Sequence, residues 1–218
     1  MMVEDDDDVV LEQYDNEMVP TSNHITENND IRTDMLRLAK SWIDDADAVL
    51  ICAGAVMSVQ EGEMVYVNPD DFHKHYPYMK QFGYHTGYEA MGMMMDRRMP
   101  TESKWGYQAQ HMNNMRWKQT PNDGYTQLLK MVTENGGKDH FVLTSNVDAC
   151  FERSGFHVDQ IYTPQGEWTK IQCMKPCQHD SIYDTRPYLD AILPHVSPVD
   201  GSIPSELIPH CSRCGGPM

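Results

Sequence analysis

Residues 48–58 read Ala48-Val49-Leu50-Ile51-Cys52-Ala53-Gly54-Ala55-Val56-Met57-Ser58. A continuous apolar run without polar alternation is the pattern of a parallel strand buried on both faces. The small residues after it permit a tight turn at the strand's C-terminal end, which is how a dinucleotide-binding βα unit begins. This stretch predicts an α/β protein built on a parallel sheet. Two further short strands are expected, Phe141-Val142-Leu143 and Ile161-Tyr162. The first ends in Thr144-Ser145-Asn146-Val147-Asp148 and the second in Thr163-Pro164-Gln165-Gly166. Ligands of open parallel sheets gather beyond the strand C-termini. The Gly54 turn, the Asn146 loop and the Gln165 loop are therefore expected around one crevice.

Helices fill the intervals. Ile31, Met35, Leu38, Ala39, Trp42 and Ile43 fall on one helical face, and Asp44-Asp45 ends that stretch. Residues 101–118 predict a helix. Another runs from Pro121-Asn122-Asp123 to Val132, with Gly136-Gly137 as its cap. A short helix is expected up to Gly155. Residues from about 60 to 120 form a helical excursion from the sheet, irregular before residue 101 and rich in Tyr, His, Gly and Met. Met91, Met93, Met94, Met95 and Met99 are bunched there. They read as packing of a small subdomain, or as a flexible apolar groove. His73, His75, His85 and His111 read as surface or structural residues, because no metal-ligand spacing pairs them. Cys52 and Cys150 are expected to be inert core thiols.

The formal charge of -16 is uneven: residues 1–30 hold ten acids and no Lys or Arg, leaving about -6 on the other 188. That segment predicts an acidic tail, disordered and solvated. With 17 basic residues against 33 acidic ones, nucleic acid is not an expected ligand. No apolar stretch has the length of a membrane span, and the acidic start has no signal-peptide character. An intracellular, cytoplasmic location is expected, with nucleus and mitochondrion left open.

In that compartment cysteines are reduced, and clustered ones point to metal. Cys173-x3-Cys177 and Cys211-x2-Cys214 present two pairs of thiolates, and Gly215-Gly216 lets backbone N–H groups approach the sulfurs. Four thiolates suit Zn2+ and close its tetrahedron, so the site is expected to be structural. Four free thiols or a redox pair is the alternative, and His179 and His210 are neighbours able to replace a ligand.

The order of glycine turn, TxNVD loop, third strand and CxnC…CxxC-Gly-Gly resembles the sirtuin (Sir2) family over about residues 31–218. The resemblance implies a Rossmann-like NAD-binding domain over 31–168 with an inserted zinc-binding module over 169–218. It also implies that the chain stops at Met218 before the family's second Rossmann half and the rest of the zinc module, leaving both incomplete. The family's Gly-Ala-Gly-x-Ser reads here Gly54-Ala55-Val56-Met57-Ser58. Its Pro-Asp-Phe-Arg segment is replaced by Met64-Val65-Tyr66-Val67, and its Leu-His-Gly by Pro164-Gln165-Gly166. Together with Gln172-Cys173-Met174-Lys175-Pro176-Cys177 and Ile203-Pro204-Ser205-Glu206-Leu207-Ile208-Pro209-His210-Cys211, these departures are similar to the macrodomain-linked class M sirtuins.

That subgroup implies NAD-dependent protein ADP-ribosyl transfer, with a lipoyl-carrier protein as acceptor. Sirtuin chemistry begins with loss of nicotinamide from C1′ of the ribose. Deacylation then needs a base with a pKa near the working pH, which the Gln165 amide does not have. Capture of the C1′ centre by a protein nucleophile or water does not need that base. The resemblance makes Asn146, Gln165 and Asp148 the catalytic candidates. Gly54, Ala55, Ser58, Thr144, Asn146, Asp148 and Gln165 are the NAD-binding candidates, and Cys173, Cys177, Cys211 and Cys214 the zinc ligands. Outside the family context, Asn146 reads as a helix N-cap and Gln165 as an exposed turn residue. Lysine deacylation is the second reading, and a non-catalytic zinc-stabilised interaction module the third.

Overall fold

The computed structural model describes residues 27–59, 65–134 and 137–218. The predicted acidic tail, Met64 and Gly136 fall on or within segments outside the described residues, apart from residues 27–30, which are helical. The chain divides into two compact units, 1–46 and 47–218. The first contributes helix α1, Glu27–Asp45, which starts four residues before the apolar periodicity suggests. Among the described residues no helix is long and apolar enough to cross a membrane.

The second unit holds the remaining elements: β1 (Ala48–Ala53), α2 (Pro69–His75), α3 (Gly87–Ala90), α4 (Thr101–Met112), α5 (Asp123–Thr133), β2 (Asp139–Thr144), α6 (Cys150–Arg153), β3 (Ile161–Tyr162), β4 (Lys170–Gln172), β5 (Ile182–Asp184) and α7 (Arg186–Ile192). β1, β2 and β3 form a parallel sheet in that order, with Ala53 opposite Thr144 and Leu143 opposite Tyr162. The expected α/β architecture with its parallel sheet is therefore present. Because the strands are parallel, the Gly54, Ser145 and Thr163 loops leave from the same edge.

The sheet is less enclosed than a continuous apolar run suggests. Ile51 and Val142 pack with Tyr125, Val132, Cys150, Phe151 and Phe156 into one core beneath α5 and α6. Leu50 is 62% exposed and Phe141 42% exposed, and Cys52 is exposed too. Strand side chains alternate between faces, and these residues point away from that core. Cys150 is buried as expected, whereas Cys52 is not.

Helix boundaries also shift. α4 ends at Met112 and continues as a wider, π-type turn over Asn113–Lys118. Asn122 caps α5 by accepting the Gly124 N–H at 3.0 Å, and the helix ends on Glu134 rather than on the glycine pair. A second core fills the helical excursion: Phe72, Tyr76, Tyr78, Met79, Met93, Met99 and Tyr107. Met93 and Met99 bear out the packing reading, while Met91 and Met95 are exposed. α4 also packs Trp105 and Ala109 against Cys173, Leu189, Ile192 and Cys211. Gly106 is required at this crossing, because a Cβ there would lie 1.9 Å from the Gly201 carbonyl oxygen.

Candidate functional site

The loops after β1 and β2 are bound together by one polar cluster. β1 leads into a single tight turn, Ala55–Ser58, which brings Ser58 back beside the Asn146 loop. Ser145 N–H donates to the Ala53 carbonyl at 3.1 Å, so the second loop is anchored on the first strand. Asn146 Nδ2 donates both to the Gly54 carbonyl (3.0 Å) and to Ser58 Oγ (2.9 Å). Ser58 in turn donates its single hydrogen to Asp148 Oδ2. The Tyr125 hydroxyl, 2.7 Å from Ser58 Oγ, must then be a donor as well. Asp148 Oδ1 accepts the Cys150 N–H at 2.9 Å, and Thr144 Oγ1 accepts the Asn146 N–H at 3.1 Å.

The cluster is buried: Thr144, Asn146 and Asp148 are each under 10% exposed. A buried carboxylate is tolerable when its oxygens accept hydrogen bonds, and Asp148 has one such bond on each oxygen. Its charge shows on its neighbours. Burial first, and then Asp148, push the Tyr125 hydroxyl well above its usual range. The same two causes raise the Cys150 thiol to about 12. Cys150 therefore stays a protonated thiol at neutral pH. Ala149, between Asp148 and Cys150, has φ 55°, a left-handed conformation unusual for a residue with a Cβ.

Of the residues singled out in the sequence, Gly54, Ser58, Thr144, Asn146 and Asp148 are brought together, with Ala55 in the same turn. Asn146 is not a helix cap; its amide is spent across the loops, and α6 has no side-chain cap. Ser58 has its hydroxyl inside the cluster. Val56 is 85% exposed, so its side chain stands out from the glycine turn rather than filling it. Gln165 is exposed on a turn closed by Gly166 N–H to the Thr163 carbonyl, and takes no part in the cluster. Tyr125, Gln119 and Asn122 were not singled out. Gln119 Nε2 donates to the Ser58 carbonyl at 2.6 Å, and Asn122 Nδ2 to the Met57 carbonyl at 2.8 Å. His111 is buried, which bears out the structural of its two readings.

The second site is formed by Cys173, Cys177, Cys211 and Cys214, whose sulfurs all lie within 4.8 Å of one another. Cys173 and Cys214 are 3.7 Å apart, as are Cys177 and Cys211. A tetrahedron with Zn–S bonds of about 2.3 Å has S···S edges of about 3.8 Å, so the donor set fits Zn2+. The Tyr183 hydroxyl, 3.4 Å from Cys211 Sγ, favours the thiolate and draws its pKa down to about 6. Gly216 N–H points at Cys214 Sγ (3.4 Å), and Gly215, at φ 68°, makes that turn. All four ligand positions are taken by sulfur, which leaves a structural role.

No protein-family model matches the chain. Over 187 residues it is 35% identical to a probable bifunctional ADP-ribose hydrolase/ADP-ribosyltransferase of Fusarium oxysporum f. sp. cubense, covering 84% of this chain and 30% of that protein. Over 190 residues it is 25% identical to a protein ADP-ribosyltransferase of Staphylococcus aureus strain Mu50, covering 87% of this chain and 57% of that protein. The chain thus spans about a third to somewhat over half of these relatives. A solved Sir2 homolog–NAD complex superposes with TM-score 0.53 at 17% identity, over 83% of this chain and 58% of that one. A Sir2 protein with a deacetylated p53 peptide and 3′-O-acetyl ADP ribose gives TM-score 0.53 at 15% identity, over 83% and 61%.

Proposed function

From a Sir2-like α/β fold and homology to proteins named as ADP-ribosyltransferases, we propose that this chain supplies the nicotinamide-side wall of an NAD site and serves protein ADP-ribosyl transfer. The observation that carries the reading is the Gly54–Ser58–Asn146–Asp148 cluster. It locks two loops at the C-terminal edge of the parallel sheet, where nucleotides bind in such folds.

NAD supplies the electrophile. Nicotinamide leaves with the bonding electron pair, and a nucleophile on a protein side chain forms the new bond to C1′ and releases its proton to solvent. Asn146, held by two hydrogen bonds, orients the reacting ribose or the incoming nucleophile. Asp148 holds Ser58 and the start of α6, so that the loop does not rearrange when substrate arrives; such preorganisation lowers the cost of reaching the transition state. Gly54 and Ala55 offer backbone at the turn for the pyrophosphate. Gln165 provides an amide on the same edge but no base, which sets this chain apart from a deacylase. The acceptor is a protein, and a lipoyl-carrier protein is the proposed one.

The test is incubation of zinc-loaded chain with labelled NAD and a lipoylated carrier protein. Label on the carrier is expected. Release of an acyl group from an acylated lysine peptide, without label transfer, would make the chain a deacylase. Neither label transfer nor NAD cleavage would leave a zinc-stabilised binding module. Replacing Gln165→His should raise deacylation only if a base is all that deacylation lacks.

A further inference from the structure

His111 lies buried at the end of α4 and has no part in the chemistry above. Both ring nitrogens face phenols: Tyr76 Oη is 3.1 Å from Nδ1, and Tyr66 Oη is 3.3 Å from Nε2. The Tyr107 ring stacks on the imidazole, and Trp168, three residues beyond Gln165, meets it edge-on at 5.3 Å. No carboxylate or cation is among these contacts, and burial pushes the His111 pKa down to about 4. The ring is therefore neutral at pH 7 and carries one N–H.

The proton order follows from the partners. Asn114 Nδ2 can only donate, and it donates to Tyr76 Oη at 3.2 Å. Tyr76 is fully buried, and among the described residues its own hydrogen has one acceptor, His111 Nδ1. Leaving that hydrogen without a partner would cost about 1–3 kcal/mol. Nδ1 must accept, so Nε2 bears the hydrogen and donates it to Tyr66 Oη. Tyr66 then has its own O–H left over, with no acceptor among the described residues. It is half-buried, and its ring meets that of the exposed Tyr88 at 5.5 Å. Burial, followed by the Asp148 charge, pushes its pKa up to about 12, which keeps the hydrogen in place.

We propose that the Asn114–Tyr76–His111–Tyr66 chain holds His111 as the Nε2–H tautomer, and so presents Tyr66 as an oriented hydrogen-bond donor to an acceptor oxygen of the nucleotide bound at the Asn146–Asp148 loop. Asn114, Tyr76 and His111 are positioning residues, and Tyr66 is the group that meets the ligand. The identity of its ligand rests on the NAD reading above; the proton order does not. Gln119 joins the relay to the loop cluster: its side chain donates to the Ser58 carbonyl at 2.6 Å and its backbone N–H to the Asn114 carbonyl at 2.8 Å. Trp168 links the relay to the Gln165 turn, which adjoins the same sheet edge.

The experiment is 15N NMR of the full chain labelled at histidine and asparagine, with and without NAD. The His111 Nδ1 resonance is expected to be of the acceptor type and Nε2 to carry the hydrogen; the reverse order, or two N–H groups at neutral pH, overturns the proposal. On adding NAD, both the Asn146 side-chain amide and His111 Nε2–H should shift. Tyr66→Phe, which keeps the ring, should abolish the His111 response. It should also raise the KM for NAD roughly threefold to tenfold with kcat little changed, the loss of one hydrogen bond made equally in ground and transition states. A shift at Asn146 with none at His111 overturns the donor role and leaves the NAD reading standing. If neither shifts, the NAD reading fails and the ligand assignment with it, whereas the measured tautomer still decides the proton order.

Discussion

Acid should loosen this protein through His111. In the unfolded chain a histidine titrates near 6.5, whereas in the folded chain burial holds His111 at about 4. The folded-state pKa is depressed, so between these values the unfolded state binds a proton that the folded state does not. Stability is full above pH 6.5, falls as the pH drops toward 4 and loses nothing further from this group below that. Evaluating the linkage at pH 7 and at pH 5 gives a loss of about 2 kcal/mol. The groups facing the ring are Tyr66, Tyr76, Tyr107 and Trp168, all neutral throughout this window, so none offsets the effect. Urea unfolding of the chain and of His111→Gln, at pH 7 and pH 5, isolates this term from the carboxylates common to both. The wild-type chain should lose about 2 kcal/mol more than the variant over that step. Parallel pH profiles for the two proteins, or a His111 titration midpoint near that of a free histidine, would refute the reasoning.

Three further outcomes are expected. Chelation should release about one Zn2+ per chain and unfold the region around β4 and β5, and Cys211→Ser should lose the metal; a chain that keeps its thermal midpoint after metal removal argues against a structural site. Gly106→Ala should destabilise by about 2 kcal/mol or more, because its Cβ would sit 1.9 Å from the Gly201 oxygen. Helix propensity alone predicts about 1 kcal/mol of stabilisation, so the sign of the change in Tm decides. Asn146→Ala removes the two side-chain bonds that Asn146 makes to the Gly54–Ser58 turn and should cost about 1–3 kcal/mol. It should also suppress nicotinamide release from NAD, and release at the wild-type rate would show that the loop cluster is not the reacting centre.

The parts legible in the sequence were those written in local pattern. The strand-turn of residues 48–58, the polar loop after Leu143 and the two cysteine pairs are each contained in a few consecutive residues. Their chemistry is dictated by residue type: small residues for a turn, thiolates for Zn2+. What escaped was set by distance along the chain. The continuous apolar run of β1 read as buried on both faces, yet the core lies on the Ile51 side, which only the placement of α5 and α6 decides. His111 read as surface or structural because nothing beside it in sequence marks it; its phenol partners come from 35 and 45 residues away. Tyr125 gave no signal either, since its bond to Ser58 spans 67 residues.

Sequence by itself therefore determined the class of fold and the metal-binding residues, because periodicity and ligand chemistry act over one turn or one strand. It also determined that Gln165 brings no base to the sheet edge. Tertiary structure decided that Asn146 joins two loops instead of capping a helix, and that Ser58 lies inside the cluster with its one hydrogen given to Asp148. It decided, too, that His111 is buried between two phenols. The physical reason is that a hydrogen takes one acceptor, and burial removes water as the alternative. Which group satisfies which is then fixed only when distant segments are packed together.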